Sequence, residues 1–411
     1  MPRTFSRYHV FLIAVLAFLQ FTIILDFMVL SPLSAILLAE LDITTSQFGM
    51  VVSAYAWSAG ISSFLAAGIA DRFDRKKLLI FFYAGFIFGT FLCGIAETYS
   101  FLLIARIATG VFGGVIGSIV YAIVSDLFAL DVRGRVMGFL QMALAGAQVL
   151  GLPIGLYLAN VFGWQSPFLM ISGICIVVFA VIWIRMKPVN SHLATKSTSS
   201  PMVHLITTFS NPAYARVFAS TILLATGGFM LMPFGAAFAV NNLGVSLDAL
   251  PVLYAITGVS AMIVAPLIGR LSDSVGKYPV FTICSIALII TVGIYCNLGL
   301  TPFWIVVLFS VVMFANVSGR MVSSSALITA VPDPPDRGAF MSINSSISMV
   351  AGGIASMLAG TIVYQTQNGY IENYDILGYV VSGATLITIG LMYMINRMVI
   401  KKHRAIGSAP V

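Results

Sequence analysis

Charge is what this sequence has least of. Only 9% of its 411 residues are Asp, Glu, Lys or Arg, while 59% are hydrophobic and the mean hydropathy is +1.02. Average soluble domains carry about a quarter charged residues, so the shortage excludes an ordinary cytosolic enzyme and a disordered chain. The net charge of +7 does not make a nucleic-acid binder either, because the 21 Lys and Arg are scattered between apolar runs instead of clustered. Cysteine is equally sparse. Cys93, Cys175, Cys284 and Cys296 all lie inside apolar stretches, as small core residues do, and offer no disulfide framework. His9, His192, His204 and His403 lack metal-ligand spacing, so no metal is expected. Without a P-loop or a soluble domain to hold one, ATP is not the direct energy source, and no cofactor is implied.

What the sequence has instead is long hydrophobic runs. A spanning helix needs about 20 mostly apolar residues. Twelve segments qualify, roughly 10–38, 46–70, 78–97, 100–127, 136–160, 166–186, 216–241, 249–270, 279–299, 302–331, 338–364 and 377–398. The first run, preceded by Arg3 and Arg7, is too long for a signal-peptide core and has no small-residue cleavage site, so it reads as a retained span. Charge placement tests the count. With a cytoplasmic N-terminus, every Lys and Arg except Arg106 and Arg320 falls in or beside a cytoplasmic segment. The opposite loops carry Glu40, Asp42, Glu97, Asp248, Glu372 and Asp375 and no basic residue. The expected fold is an all-α, multi-pass membrane protein of twelve helices with both termini cytoplasmic.

The segment 187–215 is the one long polar stretch, and within it His192–Pro201 (HLATKSTSSP) reads as a flexible linker. It separates a six-helix half over 1–186 from a second over 216–411. The halves repeat at about 200 residues. AGIADRFDRKK (Ala67–Lys77) answers IGRLSDSVGK (Ile268–Lys277), Arg133-Gly134 answers Arg337-Gly338, and Pro32 answers Pro233. Two parallel six-helix repeats describe a transporter whose substrate sits between the halves near mid-membrane.

These residues resemble the major facilitator superfamily over essentially the whole chain. The loop after span 2 looks like the family pattern GxLaDrxGrkk at Ala67, Ile69, Asp71, Arg72, Arg75, Lys76 and Lys77, with Ala67 and Asp74 standing where glycine is usual. The second copy keeps Gly269, Asp273, Gly276 and Lys277. Arg106 and Gly110 are similar to the RxxxG motif of proton-coupled antiporters, with Thr109 replacing the usual glutamine. Gly151, Pro153 and Gly155, followed by Gly163-Trp164 and Phe168, resemble the pattern of arabinose-efflux-like permeases and twelve-span drug:proton antiporters. The resemblance implies alternating access in a bacterial inner membrane and efflux coupled to the proton gradient. It also implies a cytoplasmic gate network at Asp71, Arg72, Arg75 and Asp126, and that Arg106 sets the protonation of a nearby acid.

Among single residues Asp26 weighs most. It lies well inside span 1 (ILDFMVLSP), where an ionised carboxylate is costly, and intramembrane acids are by default functional. It can carry a proton or receive a cationic group, or it can simply be paired to an arginine that staples two helices. Arg106 is about 9 Å from the outer end of span 4, within reach of Asp26. Arg320 lies near mid-membrane in NVSGRMVSSS and, by the repeat offset, aligns with Ile116 rather than Arg106. It needs an anion or several carbonyls, which Asp26, the backbone or a substrate could supply. Gln20, Gln141, Gln148, Tyr254, Asn316 and Asn344 are further polar groups within spans, either cavity-lining or helix-to-helix bonds.

The favoured function is therefore proton-coupled efflux of a small organic solute, drug-like or metabolite-like. Asp26 and Arg106 are the coupling residues. Asp26, Arg320, Gln148, Tyr254, Asn316 and Asn344 are the candidate substrate contacts. The alternative is a symporter or facilitator for an anionic or zwitterionic metabolite held by Arg106 and Arg320. A membrane transferase lacks the clustered Asp or nucleophile elbow that its chemistry needs. Twelve spans enclose a complete pathway, so the partners expected are solute, protons and lipid, around a monomer.

Overall fold

The computed structural model describes residues 5–67, 73–128, 130–190, 201–333 and 336–406. Among these described residues twelve helices are long and apolar enough to cross a membrane. In the first half they are Arg7–Val29, Thr45–Ala66, Arg75–Gly94, Tyr99–Leu127, Arg135–Phe162 and Ser166–Arg185. In the second they are Tyr214–Asn241, Leu247–Val275, Lys277–Tyr295, Phe303–Ala330, Arg337–Ile362 and Tyr374–Lys402. Below they are spans 1 to 12. All four cysteines are buried and unpaired.

The repeat shows itself in how spans 1 and 7 break. The first helix stops at Val29 and resumes at Ser34–Glu40, with Pro32 in the gap. Span 7 stops at Phe229, passes through a tight turn at Met232–Phe234 that holds Pro233, and resumes at Gly235–Asn241. A proline inside a helix removes one backbone donor and clashes with the carbonyl four residues back, so both chains bend at the same place. The two outer stubs then pack on each other. The Ala237 N–H donates to Ser34 Oγ at 3.2 Å, and beside the stubs the Phe48 ring of span 2 meets the Phe234 ring of the turn edge to face at 5.7 Å.

More bonds close the outer side between the halves. Thr45 Oγ1 donates to the carbonyls of Gly360 (3.2 Å) and Val363 (2.6 Å), Ser53 Oγ to that of Gly353 (2.7 Å), and Asn160 Nδ2 to that of Leu247 (2.8 Å). Spans 2 and 11 approach this closely because glycines face each other: a Cβ on Gly49 would lie 2.8 Å from the Ser356 carbonyl oxygen, and one on Gly360 would lie 2.6 Å from that of Thr45. A short hairpin, Tyr364–Gln365 with Ile371–Glu372, caps the outer face, held by Asn242 through two hydrogen bonds to Ile371.

Span 5 carries a wide turn, Ala147–Gly151, between two regular helices. Pro153 cannot donate to the Val149 carbonyl, and the turn absorbs the lost bond. Span 8 presses onto it: a Cβ on Gly258 would stand 2.7 Å from the Gln148 carbonyl oxygen.

The stretch 187–215 departs from a plain linker. His192–Ser200 lies outside the described residues, but Pro201–Phe209 is a helix. Its Leu205 is buried in a cluster with Val217, Phe340 and Ile343 under the second half. Nine residues are too short to register as a hydrophobic span.

Gly360→Val should wedge spans 2 and 11 apart, since overpacking costs about 1–3 kcal/mol. The expected result is a lower melting temperature of the purified protein. A cysteine placed at Ser53, fully buried beneath the seam, should also become reactive to a maleimide added from outside.

Candidate functional site

Four spans of the first half converge on Asp26. Arg106 Nη1 lies 2.9 Å from Asp26 Oδ2 and also donates to the Asp26 backbone carbonyl at 3.3 Å. Thr90 Oγ1, from span 3, donates to the other carboxylate oxygen at 3.1 Å. From span 2 the Tyr55 ring lies against the guanidinium, 4.5 Å from centroid to Cζ, a contact worth about 0.5–2 kcal/mol. Asp26, Arg106 and Thr90 are each fully buried. The pair that depth alone placed within reach is formed, and its surroundings satisfy both carboxylate oxygens.

Glycines explain why the spans can come this close. A Cβ on Gly110 would sit 2.5 Å from the Tyr55 carbonyl oxygen and one on Gly114 would sit 2.3 Å from that of Ala59, so spans 2 and 4 meet along a Gly110-x-x-x-Gly114 seam. That seam delivers Tyr55 to Arg106. On the other side a Cβ on Gly89 would stand 2.8 Å from the Thr109 backbone nitrogen. This contact brings the adjacent Thr90 to Asp26. Thr109 spends its hydroxyl on the Ala105 carbonyl (2.7 Å), and its small side chain is what the contact with Gly89 accommodates.

Arg320 stands apart, on span 10 in the second half. It is 5% exposed, and its Nε and Nη2 have no acceptor among the described residues. Its neighbours are the Phe281 ring, 5.7 Å from Cζ, and Gly227 of span 7, whose Cβ position lies 3.6 Å from Nη1. Asp26 is committed to Arg106 and does not serve it. Asn344 accepts a hydrogen bond from Thr221 at 2.6 Å, joining spans 11 and 7, while Gln148, Tyr254 and Asn316 are half-buried.

At the cytoplasmic end, Asp71 and Arg72 lie outside the described residues. Arg75 Nε pairs with Asp126 Oδ2 at 3.1 Å, and the Arg75 N–H donates to the Val189 carbonyl at 3.0 Å. Asp74, where the family pattern has glycine, caps span 3: its Oδ1 accepts from the Lys77 N–H at 3.1 Å. Lys76 Nζ donates to the carbonyls of Trp183 (3.0 Å) and Met186 (2.5 Å) at the end of span 6, where the helix dipole favours a cation. These contacts tie spans 3, 4 and 6 together, all within one half.

The sequence profile of the Major Facilitator Superfamily matches residues 16–218 and again 217–408, once per half. The chain belongs to that superfamily. It is a multi-pass membrane transporter, not an enzyme, and its partners are a small-molecule substrate and the lipid bilayer. It is 26% identical over 372 residues to the uncharacterized MFS-type transporter YceJ of Bacillus subtilis, covering 88% of this chain and 92% of that one. It is 24% identical over 398 residues to a probable sugar efflux transporter of Mannheimia succiniciproducens, 95% of each. In fold it is similar to an inward-facing, unoccupied bacterial homologue of the human lysosomal transporter Spinster, with TM-score 0.72 at 15% identity over 96% and 97% of the two chains. It is also similar to a nucleoside transporter, with TM-score 0.72 at 15% identity over 93% and 99%.

Thr90 and Tyr55 escaped the sequence reading. The signal for Tyr55 was the Gly110/Gly114 spacing, which marks a close helix neighbour, whereas Thr90 has no signature beyond a hydroxyl within an apolar run.

Arg106→Gln should destabilise the protein by about 3–5 kcal/mol, because it leaves a buried charge without its partner. The double change Asp26→Asn with Arg106→Gln should recover most of that loss. Thermal unfolding of the four proteins in one detergent, read as a double-mutant cycle, checks it.

Proposed function

We propose that this transporter exports a small organic solute in exchange for protons by alternating access, with Asp26 as the proton carrier and Arg106 as its regulator. The observation that carries the reading is the buried Asp26–Arg106 pair. A carboxylate with one cationic partner in a region without water has two self-consistent states. Ionised, it is held by Arg106, Thr90 and the helix geometry. Protonated, it releases the guanidinium, and the contacts among spans 1, 2, 3 and 4 must rearrange. Proton uptake and conformational preference are linked through that one bond. The similarity to probable sugar efflux transporters supports the outward direction and a polar organic solute.

In the conformation described, bonds at Ser34, Thr45, Ser53 and Asn160 seal the outer side, so solute enters from the cytoplasm. Arg75–Asp126 holds spans 3 and 4 as one body while the halves rock. The protein works as a monomer in the inner membrane, driven by the proton gradient with no bound cofactor.

The test uses purified protein in liposomes containing a pH-sensitive dye, challenged with sugars, lipophilic cations and organic anions in turn. Solute-dependent proton movement is expected in the native chain, and Asp26→Asn should abolish it while leaving solute exchange at equilibrium intact. Solute flux with no proton movement in the native chain would refute the coupling.

A further inference from the structure

The two halves treat one structural position in opposite ways. The register that matches the breaks at Pro32 and Pro233 also matches Asp26 with Gly227. In the first half an arginine from span 4 reaches that position on span 1 and finds a carboxylate at 2.9 Å. In the second half an arginine from span 10, Arg320, reaches that position on span 7 and finds a glycine. The Cβ site of Gly227 is 3.6 Å from Nη1, in van der Waals contact with nothing else within 4 Å, and that of the adjacent Gly228 has no neighbour within 4 Å. Arg320 as a whole is 5% exposed; its Nη1 faces the notch, and Nε and Nη2 have no acceptor among the described residues. Nearby on span 9, one turn from Phe281, Ser285 Oγ is likewise buried without a partner.

An arginine stays charged at any physiological pH, and an enclosed cation without an anion is costly. Here the place for the anion is built, and the described residues do not supply it. We propose that Arg320 and the Gly227–Gly228 notch form the binding site for an anionic group, a carboxylate or phosphate, carried by the transported solute. The guanidinium offers planar, bidentate donors matched to either group. Loss of the side chain at position 227 makes room for the ligand's oxygens where the first half keeps its own carboxylate. One half thus holds the proton-exchanging pair, and the other holds an arginine completed only by substrate. This rests on the chain being a transporter but not on proton coupling.

The test is equilibrium binding to the full-length protein in phosphatidylcholine nanodiscs, by calorimetry, with matched probes. Gluconate is set against glucose, benzoate against benzyl alcohol, and glycerol 3-phosphate against glycerol. At least one anion should bind more tightly than its neutral counterpart. Arg320→Gln should weaken it about tenfold or more, the loss expected for charge-assisted hydrogen bonds. Gly227→Asp should weaken it as strongly by supplying an internal carboxylate while leaving Arg320 in place, and it decides the matter alone if Arg320→Gln is not monodisperse. Binding is read at equilibrium with no pH gradient across the nanodisc, so a failure of proton coupling and a failure of this site are distinguishable. If phosphatidylglycerol nanodiscs compete with the soluble anions in an Arg320-dependent way, the anion belongs to a lipid headgroup and the assignment to solute is overturned. No preference for any anion, or native affinity in Gly227→Asp, overturns the site itself.

Discussion

An ion pair shut away from water is the constraint around which the first half is arranged. Neither Asp26 nor Arg106 is tolerable alone at that depth, and each further hydrogen bond lowers the cost of the pair, although Arg106 Nε has no acceptor among the described residues. Thr90 fills the second carboxylate oxygen and the Asp26 backbone carbonyl shares Nη1. The Tyr55 face then covers the guanidinium. Each of these contacts demands a helix separation that ordinary side chains would prevent. The glycines at 89, 110 and 114 therefore belong to the electrostatics as much as to the packing.

The second half uses the same scaffold with the electrostatic element left incomplete. Its seams to the first half are made of backbone carbonyls, hydroxyls and glycines, which grip without charge and can be released at low cost. Two ion pairs of this half, Lys277–Asp273 and Lys402–Asp333, lie at the cytoplasmic margin, and Arg320 is buried among the spans. Under the proposed function such a division separates the half that exchanges protons from the half that meets cargo, while the shared seam joins their movements.

Much of this was legible in the sequence, for definite reasons. Hydrophobic length and the one-sided distribution of Lys and Arg report directly on the bilayer, so the twelve spans and the break into halves could be read without tertiary information. That Asp26 and Arg106 could pair followed from depth, since helix rise converts sequence position into distance from the surface. Depth carries no information about azimuth, however, and azimuth decides which neighbours complete the pair. Thr90 and Tyr55 were invisible for that reason, and so was the isolation of Arg320 from Asp26. Asp74 seemed a blemish in the loop motif because family patterns record the usual residue, whereas a carboxylate is an equally good cap for the helix that begins there. The helix Pro201–Phe209 was missed because nine residues fall short of a spanning run, and the partners of Leu205 in its cluster include residues far along the chain.

The interrupted spans 1 and 7 have a mechanical consequence. Their outer stubs are two seven-residue helices, Ser34–Glu40 and Gly235–Asn241, each jointed to its own span and leaning on the other. Asp26 and Gly227 sit below the joints, on the long rigid segments. A shift of either long segment therefore reaches the outer doorway through a single joint, and the contact between the stubs passes it to the opposite half. The elbows are the transmission between the centre of the protein and its outer door.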